Sequence, residues 1–108
     1  MSWKVEFYIN NRDDRPVSHF FRLLDDSTLQ KVMKVIDLLG VNGPNLTLPY
    51  SKRITKFISE LRTGGTNAIR ILYGRKSQTF VLLSAFKKKT NKLPLKELKL
   101  AESRFDSL

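Results

Sequence analysis

The chain has 108 residues, enough for one domain, and 41% of them are hydrophobic, which suffices for a single modest core. It contains no cysteine, which excludes disulfides, thiolate metal sites and cysteine nucleophiles together and fits a cytoplasmic location. Twenty Lys/Arg against ten Asp/Glu leave a net charge of +10, a field that favours nucleic acid, ribosomes, anionic membranes or an acidic protein partner.

No run approaches the roughly 18–20 apolar residues of a transmembrane helix, and no basic segment precedes an apolar core at the N-terminus. Neither a membrane span nor a secretory signal is expected, and residues 1–108 read as a single domain. The charge is uneven. Residues 1–48 hold six Lys/Arg and six acids, whereas residues 49–108 hold fourteen Lys/Arg and four acids. A uniformly solubilising surface would not be so lopsided.

Trp3 to Ile9 alternates Trp3, Val5, Phe7 and Ile9 against Lys4, Glu6 and Tyr8, as a half-buried strand does. Pro16 suits a first helical turn, and Val17, Phe20, Phe21 and Leu24 follow at helical spacing. Ser27-Thr28-Leu29-Gln30 has the form of a capping box opening a second helix. That helix has Leu29, Val32, Met33, Ile36 and Leu39 on its apolar face and Gly40 as its stop. Val41 to Tyr50, with Gly43, Pro44 and Pro49, reads as a loop.

Three strands follow, at about Lys56–Thr63, Asn67–Arg75 and Gln78–Lys87, punctuated by Gly64-Gly65 and by Gly74 to Ser77. Pro94 then opens a helix with Leu95, Leu98, Ala101 and Phe105 on one side. The predicted class is α+β: an N-terminal strand, a two-helix hairpin, a three-stranded antiparallel meander completing a small sheet, and a C-terminal helix.

Pairing decides where the charges point. A three-residue loop at Gly64–Thr66 sets Leu61 opposite Ile69, and Glu60 opposite Arg70 on the other face. This register segregates polarity and makes a Glu60–Arg70 cross-strand pair. A two-residue turn at Arg75-Lys76 puts Phe80, Leu82 and Phe86 on the Ile69/Ile71 face. Val81, Leu83, Ala85 and Lys87 then join the Arg70 face, with Lys89 too if the strand persists. Arg62, Arg70 and Lys87 converge at one end, an arrangement suited to a phosphate backbone.

Each assignment has a plainer counterpart. Arg70 also reads as a purely structural partner of Glu60, and Lys87–Lys89 as a solvated strand end. His19, the only histidine, falls on the first helix and reads as a half-exposed helix residue. Tyr73 and the phenylalanines read as core.

With no cysteine and one histidine, no metal site and no cofactor are expected. Asp13-Asp14 and Asp25-Asp26 are explained by helix starts. No nucleophile–histidine pair and no phosphate-binding glycine loop is present. One reaction tolerates this poverty: cleavage of RNA by its own 2′-OH. Arginine stabilises the phosphorane oxygens, and lysine transfers protons where neighbouring cations crowd it.

At these strands the chain resembles the phage Gp49-like, or host-inhibition-of-growth B, branch of the RelE/ParE toxin superfamily. The residues that carry the resemblance are Glu60-Leu61-Arg62, Arg70-Ile71-Leu72-Tyr73, and Val81-Leu82-Leu83-Ser84-Ala85-Phe86-Lys87-Lys88-Lys89-Thr90-Asn91-Lys92-Leu93-Pro94. Glu97-Leu98 with Ala101 and Arg104 completes the set. By motif it spans about residues 57–104.

The resemblance implies the toxin of a type II toxin–antitoxin pair, a metal-independent, ribosome-dependent endoribonuclease that cuts mRNA and inhibits translation. It implies a cognate antitoxin, a small helix-turn-helix DNA-binding protein. Arg62 and Arg70 would clamp the scissile phosphate, and Lys88 and Lys89 would bind RNA or transfer protons. Arg53, Lys87, Lys92 and Arg104 are the expected RNA or ribosome contacts, and Glu60 is the structural partner. Ser84 stands where relatives often carry histidine, so a histidine-assisted mechanism does not transfer. Two other functions suit the same surface: a non-enzymatic toxin that poisons DNA gyrase, and a basic RNA-binding module without catalysis.

Overall fold

A computed structural model describes residues 3–108. Strand β1 (Lys4–Phe7) leads into α1 (Pro16–Arg22) and α2 (Asp26–Asn42), followed by a short 3-10 turn at Gly43–Asn45. Strands β2 (Ser51–Arg53), β3 (Ile58–Arg62), β4 (Ile69–Lys76) and β5 (Thr79–Lys87) come next, and α3 (Leu95–Asp106) closes the chain. The strand order is β1-β5-β4-β3-β2, with β1 parallel to β5 and every other pair antiparallel. The predicted α+β class holds and the expected elements follow in the expected order, with one strand, β2, added to make an open, mixed sheet of five strands.

The two sheet faces bury separate clusters. On one, Val17, Phe21, Val32, Val35 and Leu39 of the helical hairpin meet Leu61, Ile69, Ile71, Tyr73, Phe80 and Leu82. On the other, Ala101 and Phe105 of α3 meet Ile58, Leu72, Val81 and Leu83. Because helices cover both faces, Phe80–Leu83 is a continuous buried run rather than an alternating one.

Several local expectations need correction. β2 lies within a stretch that carries no strand period. It is three residues long, and its pairing to β3 comes from the tertiary fold rather than from its own pattern. The cap of α2 is Asp25, whose side chain accepts from the Thr28 backbone N–H at 2.8 Å, so the helix opens before the Ser27 box. Gly40 does not stop α2. The helix ends at Gly43, whose φ of +57° suits glycine and whose missing side chain makes room for the Trp3 indole. The buried stripe of α2 is Thr28, Val32, Val35 and Leu39, while Met33 is exposed.

The Asp25 cap has a measurable consequence. Hydrogen bonds from the Thr28 side chain and backbone hold its carboxyl below the ordinary range, with the Lys31 and Lys87 charges assisting against a small burial cost. With the folded value below the unfolded one, the stabilisation is present above the unfolded value and is lost as pH falls through the folded one. Asp25→Ala is expected to melt below the parent at neutral pH and to converge with it in acid. An equal gap at both pH values would contradict the cap.

Strand registers also differ. Leu61 opposes Ile71 and Arg62 opposes Arg70, a shift of two residues from the expected pairing. An even shift preserves the faces but replaces the partners: Glu60 lies opposite Leu72, not Arg70. The second turn is centred on Ser77-Gln78 rather than Arg75-Lys76, with Ser77 at φ +56°. Tyr73 pairs with Leu82, whereas Leu72 pairs with Ser84, so Leu83 is the extra residue of a β-bulge. Beyond it the faces exchange. Phe86 lies opposite Arg70, and Ala85 and Lys87 lie opposite Ile71 and Ile69 on the hairpin face. Single-residue alternation cannot anticipate such a flip.

Gly74 of β4 sits beneath α3. A Cβ there would come within 2.5 Å of Phe105 Cδ1 and 3.3 Å of the Phe57 carbonyl. Gly74→Ala is therefore expected to push Phe105 and α3 off the sheet at a cost of about 1–3 kcal/mol. Urea unfolding measures this, and an unchanged midpoint would refute the clash.

Candidate functional site

The ends of β3, β4 and β5 and the start of α3 enclose a cleft of about 840 Å³. Arg62 and Arg70 face each other across the β3–β4 pair at its floor. Two like charges directly opposite repel, and a shared anion offsets that repulsion. Glu60 is that anion. It is 4% exposed, and Arg62 Nε donates to its Oε1 at 2.8 Å, with Arg70 Nε 3.8 Å from the same oxygen. Arg62 is thus the closer partner of Glu60, and Arg70 the diagonal one.

Arg70 is anchored differently. Its Nη1 donates to the Thr63 carbonyl at 3.1 Å and to the Ile69 carbonyl at 3.4 Å. Burial pushes its guanidinium below the ordinary value, Glu60 pulls it back up, and Arg62 adds to the lowering. It stays charged all the same, because a guanidinium does not deprotonate in proteins. Among the described residues, Arg70 Nη2 and both terminal nitrogens of Arg62 have no protein acceptor. Two half-buried forks with free N–H groups are arranged to take an oxyanion.

The third wall is the segment after β5. The Lys88 backbone N–H donates to the Ala68 carbonyl at 2.8 Å, which extends the β4–β5 pairing past Lys87. Lys87, Lys88, Lys89 and Lys92 all line the cleft. Because Phe86 shares the Arg70 face, alternation now favours Lys88 on that face, in place of Lys87 and Lys89. Of the predicted site residues, Arg62, Arg70, Lys87, Lys88, Lys89, Lys92 and Glu60 all line the cleft.

Arg53 and Arg104 are not among the residues lining the cleft. Arg53 donates to the Thr55 and Lys56 carbonyls at 3.2 and 2.9 Å and lines a separate groove beside Phe57. Arg104 donates to the Leu83 carbonyl at 2.7 Å and stacks over the Tyr8 ring at 5.2 Å. Leu83 is the bulged residue, so Arg104 ties α3 to the irregular part of β5.

Two further cleft residues escape sequence reasoning. Lys52 belongs to the unforeseen edge strand β2. Glu97 sits in the first turn of α3, where an acid is ordinarily explained by the helix dipole. Here the buried Ser84 donates to its Oε1 at 2.6 Å, and the carboxylate lines the cleft. The two residues lie on different elements, so no local pattern joins them.

The arrangement can bind a phosphodiester and offers a carboxylate and several ammonium groups for proton transfer. Tyr73 lies elsewhere, buried with its hydroxyl bonded to Ser51 Oγ at 2.7 Å. Burial raises its phenol above the ordinary value, and hydrogen bonds from Ser51 and Ser59 offset part of that. No helix among the described residues is long and apolar enough to cross a membrane.

No curated protein matches the chain significantly. A family model, the phage-derived protein Gp49-like family, matches residues 19–106 and so takes in both helical layers, strands β2–β5 and the whole cleft. With that match across most of its length, the chain belongs to the phage-derived Gp49-like family, a member of the RelE/HigB-like toxins of toxin–antitoxin systems.

Proposed function

We propose that the chain is a ribosome-dependent mRNA endoribonuclease that uses the 2′-OH of its substrate, held silent by a cognate antitoxin. The observation that carries the reading is the opposed Arg62–Arg70 pair, steadied by one buried carboxylate and open to a lysine-walled cleft. In this reading the two guanidiniums take the non-bridging oxygens of the scissile phosphate, whose charge grows in the transition state. The Glu97 carboxylate, positioned by Ser84, accepts the 2′-OH proton. The 2′-oxygen bonds to phosphorus, and the bond from phosphorus to the 5′-oxygen breaks. Lys88 or Lys89 protonates that oxygen, leaving a 2′,3′-cyclic phosphate and a 5′-hydroxyl. Ser84 does not replace a titrating histidine; its role is to orient Glu97. The ribosome supplies the alignment of the 2′-OH that an open cleft does not.

The antitoxin of this reading places an acidic segment over the same cations, so the complex should weaken as salt rises. The test of activity is induced expression with mapping of mRNA 5′ ends. Codon-phased cuts carrying 5′-hydroxyls, absent from Arg62→Ala/Arg70→Ala, are the expected result. Growth arrest with intact mRNA and damaged DNA would overturn the reading in favour of a gyrase poison. Absence of any growth effect would overturn toxicity itself.

A further inference from the structure

We propose that a second cationic groove, adjoining the cleft across the Arg62–Arg70 pair, binds the stretch of single-stranded message next to the scissile phosphate. The proposal rests on the RNA-cleaving reading above and extends its substrate path. A cavity of about 370 Å³ lies between α2 and the β3–β4 loop. Arg62 and Arg70 line both this cavity and the cleft, so the two share one wall.

The groove adds Lys31 and Lys34, three residues apart and therefore on one side of α2. Both are exposed, and neither forms an ion pair among the described residues. The Lys31 ammonium lies over Gly65, 3.3 Å from where a side chain would begin. No acid lines the groove, whereas the cleft contains Glu60 and Glu97. Glu60 answers the two arginines, and the exposed Asp25 carboxyl feels both Lys31 and Lys87. The groove lysine and a cleft lysine thus share one field.

Tyr50 supplies the remaining element. It lines the groove, is 40% exposed, and is held to β3 by the Arg62 backbone N–H, which donates to its carbonyl at 2.8 Å. Cations without acids beside an exposed aromatic ring are what single-stranded nucleic acid needs: backbone neutralisation and a stacking platform. An acidic protein segment would also gain from these cations, but continuity with the arginines that hold the scissile phosphate favours the message.

The experiment measures binding of labelled oligoribonucleotides of about four and about twelve nucleotides, lengths that span the usual range of such sites. The short one, anchored at the arginines, has fewer nucleotides left to occupy the groove. Lys31→Ala/Lys34→Ala is expected to weaken the long RNA about 10-fold at low salt, lowering the salt slope by about 1.4. Tyr50→Ala is expected to weaken it about 5- to 100-fold. Both variants should weaken the short RNA by a smaller factor than the long one, while Arg70→Ala weakens both lengths. On ribosomes, a photo-crosslinker at position 50 should join the message.

Equal losses at both lengths, no loss at either, or a crosslink to ribosomal RNA would overturn the groove while leaving the Arg70 result, and the cleavage reading, standing. Unchanged RNA binding with a weakened antitoxin complex would assign the groove to the antitoxin instead. A parent chain that binds neither RNA and gives no crosslink to message on ribosomes would overturn the groove, whereas the cleavage reading stands or falls on the mapped mRNA 5′ ends.

Discussion

Arg70→Ala is expected to slow message cleavage on ribosomes by about 10²–10³-fold, the usual cost of one preorganised oxyanion donor. The geometry makes Arg70 the more consequential arginine. Its side chain is 12% exposed against 30% for Arg62, and the Thr63 and Ile69 carbonyls hold it in place. A fixed, poorly hydrated fork needs little reorganisation when charge develops on the phosphate. Arg70→Lys should recover only part of the rate, because an ammonium keeps the charge but loses the planar fork. The Thr63 carbonyl would also lose its present partner. Single-turnover cleavage beside a melting curve separates chemistry from folding. A rate in Arg70→Ala within threefold of the parent, with an unchanged melt, would remove Arg70 from the clamp.

Glu60→Ala is expected to be the most destabilising single change at the site, at about 3 kcal/mol, the low end for breaking a buried ion pair. The carboxylate is 4% exposed and is the anion between two arginines opposed across neighbouring strands. Without it, Arg62 can swing towards water, but Arg70 is left largely buried beside a like charge. Two secondary effects identify the cause. Salt should narrow the gap to the parent by screening the repulsion. A polyanion such as an oligoribonucleotide should stabilise Glu60→Ala more than the parent, since a bound phosphate restores the missing negative charge. Thermal melts across a salt series, with and without RNA, measure both. A loss that neither salt nor RNA relieves would mean that Glu60 acts through packing rather than charge.

These two residues also show where sequence reasoning reaches and where it stops. The parity of the first hairpin was legible, because only one parity segregates Leu61 and Ile71 from Glu60, Arg62 and Arg70. The register itself was not. Shifting one strand against the other by two residues preserves every face, so hydrophobic patterning cannot distinguish Glu60–Arg70 from Arg62–Arg70 opposition. The bulge at Leu83 was invisible for a different reason. Val81, Leu82 and Leu83 are apolar and buried on a sheet covered by helices on both sides, so the run contains no alternation to reveal a slip.

Read alone, the residues establish the α+β class, the succession of every element but β2, and the concentration of positive charge in the second half. Those properties depend on periodicity and composition, which are local. The residues also determined, through their motifs, the family to which the chain belongs. The tertiary structure alone decided that Arg62 and Arg70 share one buried carboxylate and that Lys88 follows Phe86 on their face. It alone joined Ser84 to Glu97, turned Arg104 to the Leu83 carbonyl, and opened a second groove at Lys31, Lys34 and Tyr50. Each of these depends on a register, a bulge or a helix docking, and such long-range contacts are set by the packing of the whole domain rather than by neighbours along the chain.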